Sequence, residues 1–258
     1  MTALSAIILA AGKGKRMQSD LPKVAHEVAD RAMVRWVAEA CAEAGCERIV
    51  LVVGHGQDIV RGIFEDWPAD APSIEYAVQD EQLGTGHAVQ CAQPLYADDM
   101  GGDVFVLAGD GPLIRSETLA QLHDQHRTSG ARATMATSVI EDPTGYGRIA
   151  RDRDGRFAAI VEHKNCTPEQ LEIREINPSY YCFTTQAMFD GLQRVQRDEN
   201  SGEWFLTDVP GLLLASGGRV EVIDAVPPED VLSINTPDQL ADVDRVLRSR
   251  LGMPVGKD

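Results

Sequence analysis

Apolar runs rich in β-branched residues alternate along the chain with stretches whose apolar positions recur at helical spacing. The first run, Ser5–Ala10, predicts a strand, and the next stretch predicts a helix near Ala32–Ala44 that stops at Gly45. The alternation continues with strand Arg48–Val53, a helix near Gln57–Asp66, strand Ile74–Val78, a helix after Gly86 and strand Asp103–Ala108. Parallel strands need crossover connections of helix length, so this order predicts a parallel sheet covered by helices. The second half is less regular. A helix near Ser116–Ser129 and strand Ala131–Val139 lead to shorter strands, Arg156–Val161, Ser179–Thr184 and Arg219–Asp224, mixed with helices near Gln186–Val195 and Leu206–Ala215. A final helix starts at Pro237, with Thr236 as its cap and Gln239 placed to close a capping box. The fold class is therefore α/β: a three-layer α/β/α, Rossmann-like arrangement on a mixed, mostly parallel sheet.

No internal repeat, low-complexity tract or Pro/Ser linker divides the chain, so one domain over residues 1–258 is expected, with two lobes at about 1–112 and 113–235 and a C-terminal helix over 236–250. The 40 acidic and 24 basic residues give a formal charge of −16, which repels nucleic acid and anionic membrane alike. Five cysteines without a C-x-x-C pair suggest neither a disulfide framework nor a zinc site. The run Ala6–Ala11 is short and followed by cations, the reverse of a secretory signal, and no stretch approaches the ~20 apolar residues of a membrane helix. A soluble cytoplasmic protein is the expectation.

Against this acidic background, residues 9–23 (LAAGKGKRMQSDLPK) crowd Lys13, Lys15, Arg16 and Lys23 around Gly12 and Gly14. The loop leaves the first strand at its carboxyl end, where open α/β sheets bind ligands. Glycines let backbone N–H groups encircle an anion, and Arg16 and Lys23 supply charge-assisted contacts. The dinucleotide pattern fails because Met17 stands where its third glycine would be, and the P-loop pattern lacks its G-K-[ST]. The plain alternative is a solvated basic loop. Two further segments sit at carboxyl ends of strands: QDEQLGTGHAV (79–89), which also reads as a strand-to-helix turn capped by Thr85, and AGDGPL (108–113), where Asp-Gly is also a common turn. His87 reads as a helix residue with no chemical task.

LAAGKGKRM followed by SDLPK resembles the L-A-A-G-x-G-x-R-M…P-K signature of the sugar-nucleotide pyrophosphorylases, which have the nucleotide-diphospho-sugar transferase fold. Within them, Q-x-E-Q-L-G-T-G-H-A is similar to the uridine pocket of bacterial N-acetylglucosamine-1-phosphate uridyltransferases. The resemblance implies that Leu9, Ala10, Gly12, Gly14, Gln79, Gly84 and Thr85 surround the nucleotide, with Gln79 and Gly84 on the uracil edge. It also implies that Arg16 holds the leaving pyrophosphate and Lys23 neutralises the α-phosphate. A Mg²⁺ ion would be held by Asp110 of the G-D-x-P-L motif and by Asn235, just before the final helix. Gly145 of GYGRI, Glu162 of IVEHK and Asn177 of EIN would contact the amino sugar. The first lobe would then bind nucleotide and the second the sugar.

The chain departs from the family pattern at Lys15, Gly111, Ala108 and Pro178-Ser179, the last two bordering the implied sugar pocket. The resemblance implies attack by a sugar 1-phosphate on the α-phosphorus of UTP, with N-acetylglucosamine 1-phosphate as acceptor and pyrophosphate leaving, without a protein nucleophile. It covers about residues 4–250 and only the pyrophosphorylase half of the bifunctional enzyme. Acetyl transfer is not expected, and neither is the trimer formed through the other half, so a monomer is. Two alternatives stay open: a cytidylyl- or thymidylyltransferase, or one using another acceptor, and a catalytically silent nucleotide-sugar sensor.

Overall fold

The runs Leu4–Ala10, Arg48–Val53 and Asp103–Ala108 form central strands of a sheet and are buried on both faces, which is why they read as nearly unbroken apolar segments. The computed structural model describes residues 3–232 and 234–255, so Ser233 and the extreme ends of the expected 1–258 domain lie outside the description. The strands are β1 (Leu4–Ala10), β2 (Glu27–Val28), β3 (Arg31–Ala32), β4 (Arg48–Val53), β5 (Ser73–Val78), β6 (Asp103–Ala108), β7 (Ala133–Val139), β8 (Gly147–Arg151), β9 (Phe157–Val161), β10 (Glu175–Thr184) and β11 (Val220–Asp224). The helices are α1 (Met33–Glu43), α2 (Gln57–Gly62), α3 (Thr85–Cys91), α4 (Ser116–Ser129), α5 (Pro168–Leu171), α6 (Thr185–Leu192), α7 (Asp208–Ala215) and α8 (Pro237–Arg250).

The main sheet runs β11-β7-β10-β6-β1-β4-β5, with β8 and β9 branching from β10. Neighbours from β6 to β5 are parallel, as are β11 and β7, whereas β10 runs antiparallel between β6 and β7. Leu4, Ala6, Ile8 and Ala10 of β1 pack under α1 and α4, and Ile7 packs on the opposite side with α3, α6 and α7. This is the expected three-layer α/β/α arrangement on a mixed, mostly parallel sheet.

Several expected boundaries move. Helix α2 stops at Gly62 rather than Asp66, because Phe64, Glu65 and Trp67 bond to carbonyls three residues back and tighten the chain into turns. The strand expected over Ser179–Thr184 starts four residues earlier, and a register shift between Ile176 and Tyr180 hides its first part from a periodicity reading. Thr236 caps α8 as expected, but Gln239 reaches back to the N–H of Asn235 rather than that of Thr236, so no capping box closes there. A complete capping box forms instead at Thr167 and Gln170 on α5.

Helix α8 matters to the site because it is docked on the loop after β1. Val243 and Leu247 pack with Met17, Val28 and Met33. The two-residue turn between β2 and β3 holds Ala29 and Asp30 at φ 50° and 63°, a conformation that usually calls for glycine or asparagine. Asp244 of α8 accepts from the Ala29 N–H at 2.7 Å, and Arg248 pairs with Asp30, so the helix itself pins the turn. That docking carries Asn235 to the basic loop.

Candidate active site

The loop after β1 and the chain beyond β6 meet at the carboxyl end of the parallel strands. Lys23 forms an ion pair with Asp110 and donates to Asn235 Oδ1 at 2.9 Å, and the same oxygen accepts from Arg16 Nη2 at 2.8 Å. Three segments far apart in sequence are thus joined by one ammonium group. Gly14 has φ 65°, and a Cβ there would lie 2.6 Å from Cβ of Lys23. Only glycine lets the lysine stem cross the loop this closely. At Gly12 a Cβ would meet no protein atom within 4 Å, and the residue borders a cavity of ≈ 450 Å³ together with Lys23, Asp110 and Gln79. Ala10 is fully buried in the core and borders neither that cavity nor its neighbour, whereas Ala11 borders the first.

The oxygens of Asp110 and Asn235 fit a divalent cation by their chemistry. Magnesium takes hard oxygen ligands and is usually held by one or two side chains plus substrate phosphates. A carboxylate and a carboxamide oxygen that both reach one ammonium nitrogen also converge on one cation-sized position. Gly111 beside them leaves room for a side chain, with ordinary contacts to Ala108 and Tyr180.

At the far end of the same cavity, the turn 84–86 is clamped by residues 203–206. The Gly86 N–H donates to the Trp204 carbonyl at 2.8 Å, and Thr85 Oγ1 accepts from the Leu206 N–H at 3.0 Å. The Thr85 hydroxyl therefore ties two loops together and does not cap α3, whose N-cap Gly84 makes no side-chain bond. Gly84, at φ 107°, could carry no side chain, since its Cβ would sit 2.4 Å from the Trp204 carbonyl oxygen. Gln79 is buried and donates from Nε2 to the Gly84 carbonyl at 3.1 Å.

A second cavity, of ≈ 260 Å³, shares a wall with the first formed by Leu9, Thr85, Ala108, Ser179 and Phe205. Gly145, Glu162 and Asn177 all border it. Asn177 donates from Nδ2 to the Tyr181 hydroxyl at 2.5 Å and accepts from the Ser179 N–H at 3.2 Å, so its carboxamide also shapes the bulge in β10. Glu162 accepts from Thr207 Oγ1 at 2.8 Å. Thr207, Tyr181 and Phe205 carry no local sequence signal of this position, whereas Ala108 and Ser179 border the cavity as the family resemblance implies. The bend at Pro178-Ser179 puts Ser179 at φ 68°, a left-handed serine at the junction of the two cavities. The neighbouring pair His163 and Lys164 borders neither cavity: His163 meets Arg148 at 3.3 Å, and Lys164 lies over the ring of Phe205, part of the shared wall, and 3.9 Å from Asp198.

Both cavities carry charged groups: Lys23 borders the first together with the carboxylates of Asp110 and Glu203, and Glu162 borders the second. Burial, then the carboxylates of Glu162 and Asp198, raise the Asp208 carboxyl above the ordinary range.

The family described as "MobA-like NTP transferase domain" matches residues 6–208. A "Bifunctional protein GlmU" of Clostridium acetobutylicum is 42% identical over 246 residues, covering 95% of this chain and 52% of that protein. Its namesake in Geobacter metallireducens is 45% identical over 251 residues, covering 97% and 52%. The chain thus spans about half the length of the curated relatives it matches. Among solved structures, UDP-glucose pyrophosphorylase complexed with UDP-glucose superposes with a TM-score of 0.75 at 17% identity, covering 96% of this chain and 99% of that one. The apo form of UDP-glucose pyrophosphorylase gives 0.79 at 16% identity, with the same coverage. At such identity these two show the fold alone: a nucleotide-diphospho-sugar transferase fold.

Proposed function

Because the chain belongs to the family of MobA-like NTP transferase domains, we propose that it transfers the uridylyl group of UTP to N-acetylglucosamine 1-phosphate, giving UDP-N-acetylglucosamine and pyrophosphate. The observation that carries this reading is the convergence of Lys23, Asp110 and Asn235 beside a cavity that continues into a second, hydroxyl-lined one. The relatives named above support the choice of reaction, and the Gln79 and Gly84 pair supports uracil as the base.

The acceptor phosphate and the α-phosphate of UTP repel each other, so alignment and charge neutralisation are the chemical problem. Lys23 is the group for the α-phosphate, since its ammonium is shared between two oxygens it can leave for a more charged partner. Arg16, which donates to the same Asn235 oxygen as Lys23, would hold the departing pyrophosphate. Asp110 and Asn235 would hold Mg²⁺, which when bound supplies positive charge to the phosphate oxygens. Glu162, Asn177 and the backbone at Gly145 would accept from or donate to the sugar, and the wall at Ala108 and Ser179 would leave the junction open for the diphosphate. In this division, residues 1–112 hold the nucleotide, 113–235 the sugar, and the helix over 236–250 brings Asn235 to the reacting end. The five cysteines are all free thiols, consistent with work in the reducing cytoplasm. No helix among the described residues is long and apolar enough to cross a membrane.

The experiment is to mix the protein with each nucleoside triphosphate, Mg²⁺ and a panel of sugar 1-phosphates and to follow pyrophosphate. Release with UTP and N-acetylglucosamine 1-phosphate supports the proposal. Release with another pair transfers the same chemistry to another substrate, and binding without release means a sensor.

A further inference from the structure

Gln79 is only 4% exposed, and its carboxamide has one permitted orientation. The Gly84 carbonyl 3.1 Å away can only accept, so the side-chain nitrogen must lie on that side. That nitrogen is also 3.1 Å from Nδ1 of His87 on α3. Two donors cannot share a hydrogen bond, so Nδ1 is the acceptor and the ring proton sits on Nε2, facing the Cys91 sulfur at 3.8 Å. Both amide hydrogens of Gln79 are then used inside the protein. What remains for the cavity is Oε1, an acceptor without a protein partner among the described residues.

We propose that His87 is a positioning residue that sets the choice of pyrimidine base. By accepting from Gln79 Nε2 it keeps Oε1 turned to the base, where the N3–H of uracil is a partner and the bare N3 of cytosine is not. Turning the carboxamide over would present its NH₂ to cytosine but would set Oε1 against the Gly84 carbonyl and oblige His87 to move its proton from Nε2, beside the Cys91 sulfur, to Nδ1. Without His87 only the Gly84 carbonyl opposes that flip. The inference rests on the proposed uridylyl transfer and adds to it the reason for base selectivity.

The test is kcat/KM for UTP and for CTP with one saturating sugar 1-phosphate, in wild type, His87→Leu and His87→Asn, with thermal unfolding as a control. Removing one hydrogen bond should lower the UTP-over-CTP preference about tenfold in His87→Leu, chiefly through KM for UTP. His87→Asn, whose Oδ1 can accept near the place of Nδ1, should keep the preference within about threefold. In a Gln79→Ala background, His87→Leu should change the ratio no further, because the two act as one unit. His87→Ala is the substitute if the leucine variant does not fold. A ratio unmoved in a folded His87→Leu protein while both substrates weaken together, or an equal shift without Gln79, overturns the role of His87. A wild type that favours CTP or uses neither triphosphate overturns uridylyl transfer itself, an outcome read before any variant is made.

Discussion

Strand β6 has a carboxylate at each end, Asp103 as its first residue and Asp110 just beyond its last, and the two sit in opposite surroundings. At the amino end, Asp103 meets Nε2 of His123 at 3.0 Å and that of His126, more loosely, at 3.5 Å, while His126 Nδ1 lies 2.9 Å from the Thr134 hydroxyl. This group is covered by α4 and borders neither of the two cavities described above. At the carboxyl end, Asp110 meets Lys23 beside the larger cavity. In an open α/β sheet the loops diverge beyond the carboxyl ends of the strands and leave a crevice there, so strand direction separates a carboxylate at the crevice from one that fastens a helix to the sheet.

The largest effect that could break this comparison is on catalysis. Lys23→Ala should lower turnover by at least ~10², with substrate binding less affected, because the lost charge acts mainly on the transition state. Steady-state kinetics check it, and normal turnover would remove the carboxyl-end cluster from the reaction. Next comes Asp103→Asn, which exchanges hydrogen bonds to a charged acceptor for weaker ones and should cost about 2 kcal/mol in urea unfolding while leaving kcat/KM of the folded enzyme unchanged. A fall in activity with stability intact would mean that the two ends are not separate.

The same residue makes a smaller, pH-dependent contribution. Burial pushes the Asp103 carboxyl up, but the hydrogen bond from His123 and the close approach of the His126 ring outweigh burial and hold it well below the usual carboxylate range. A folded-state value below the unfolded one means stability that is full above the unfolded value of about 4 and is lost as pH falls from there towards the lower folded value. Unfolding free energy measured down from pH 5 should therefore drop more steeply in wild type than in Asp103→Asn. The smallest effect concerns the neighbour of β6. Left-handed backbone costs a non-glycine residue about 1–2 kcal/mol, and glycine loses back up to about 1 kcal/mol in unfolded-chain entropy, so Ser179→Gly should gain roughly 0.5 kcal/mol. A loss in thermal unfolding would mean that the serine side chain repays its strain by bonding across the β10 bulge.

The parallel half of the fold was legible because strands covered on both faces must be continuously apolar, and Arg48–Val53, Asp103–Ala108 and Ser116–Ser129 keep the limits that periodicity predicts. The hairpin of β8 with β9 and the start of β10 were only partly legible, since the bulge at Pro178-Ser179 interrupts the period that would announce them. Of the site, the glycine and lysine loop stood out as local charge in an acidic chain. His87 did not, because its task depends on a carboxamide eight positions earlier that a turn folds back onto it.

Residue order alone determined that helices would cover a mostly parallel sheet and that a basic loop would leave its first strand, because hydrophobic period and glycine placement act over a few residues. Only the tertiary structure decided that one lysine would lie between an aspartate 87 positions away and an asparagine 212 positions away. Those neighbours are set by how α8 docks on the β2–β3 turn and where β6 ends, and contacts between distant segments depend on the packing of the whole chain.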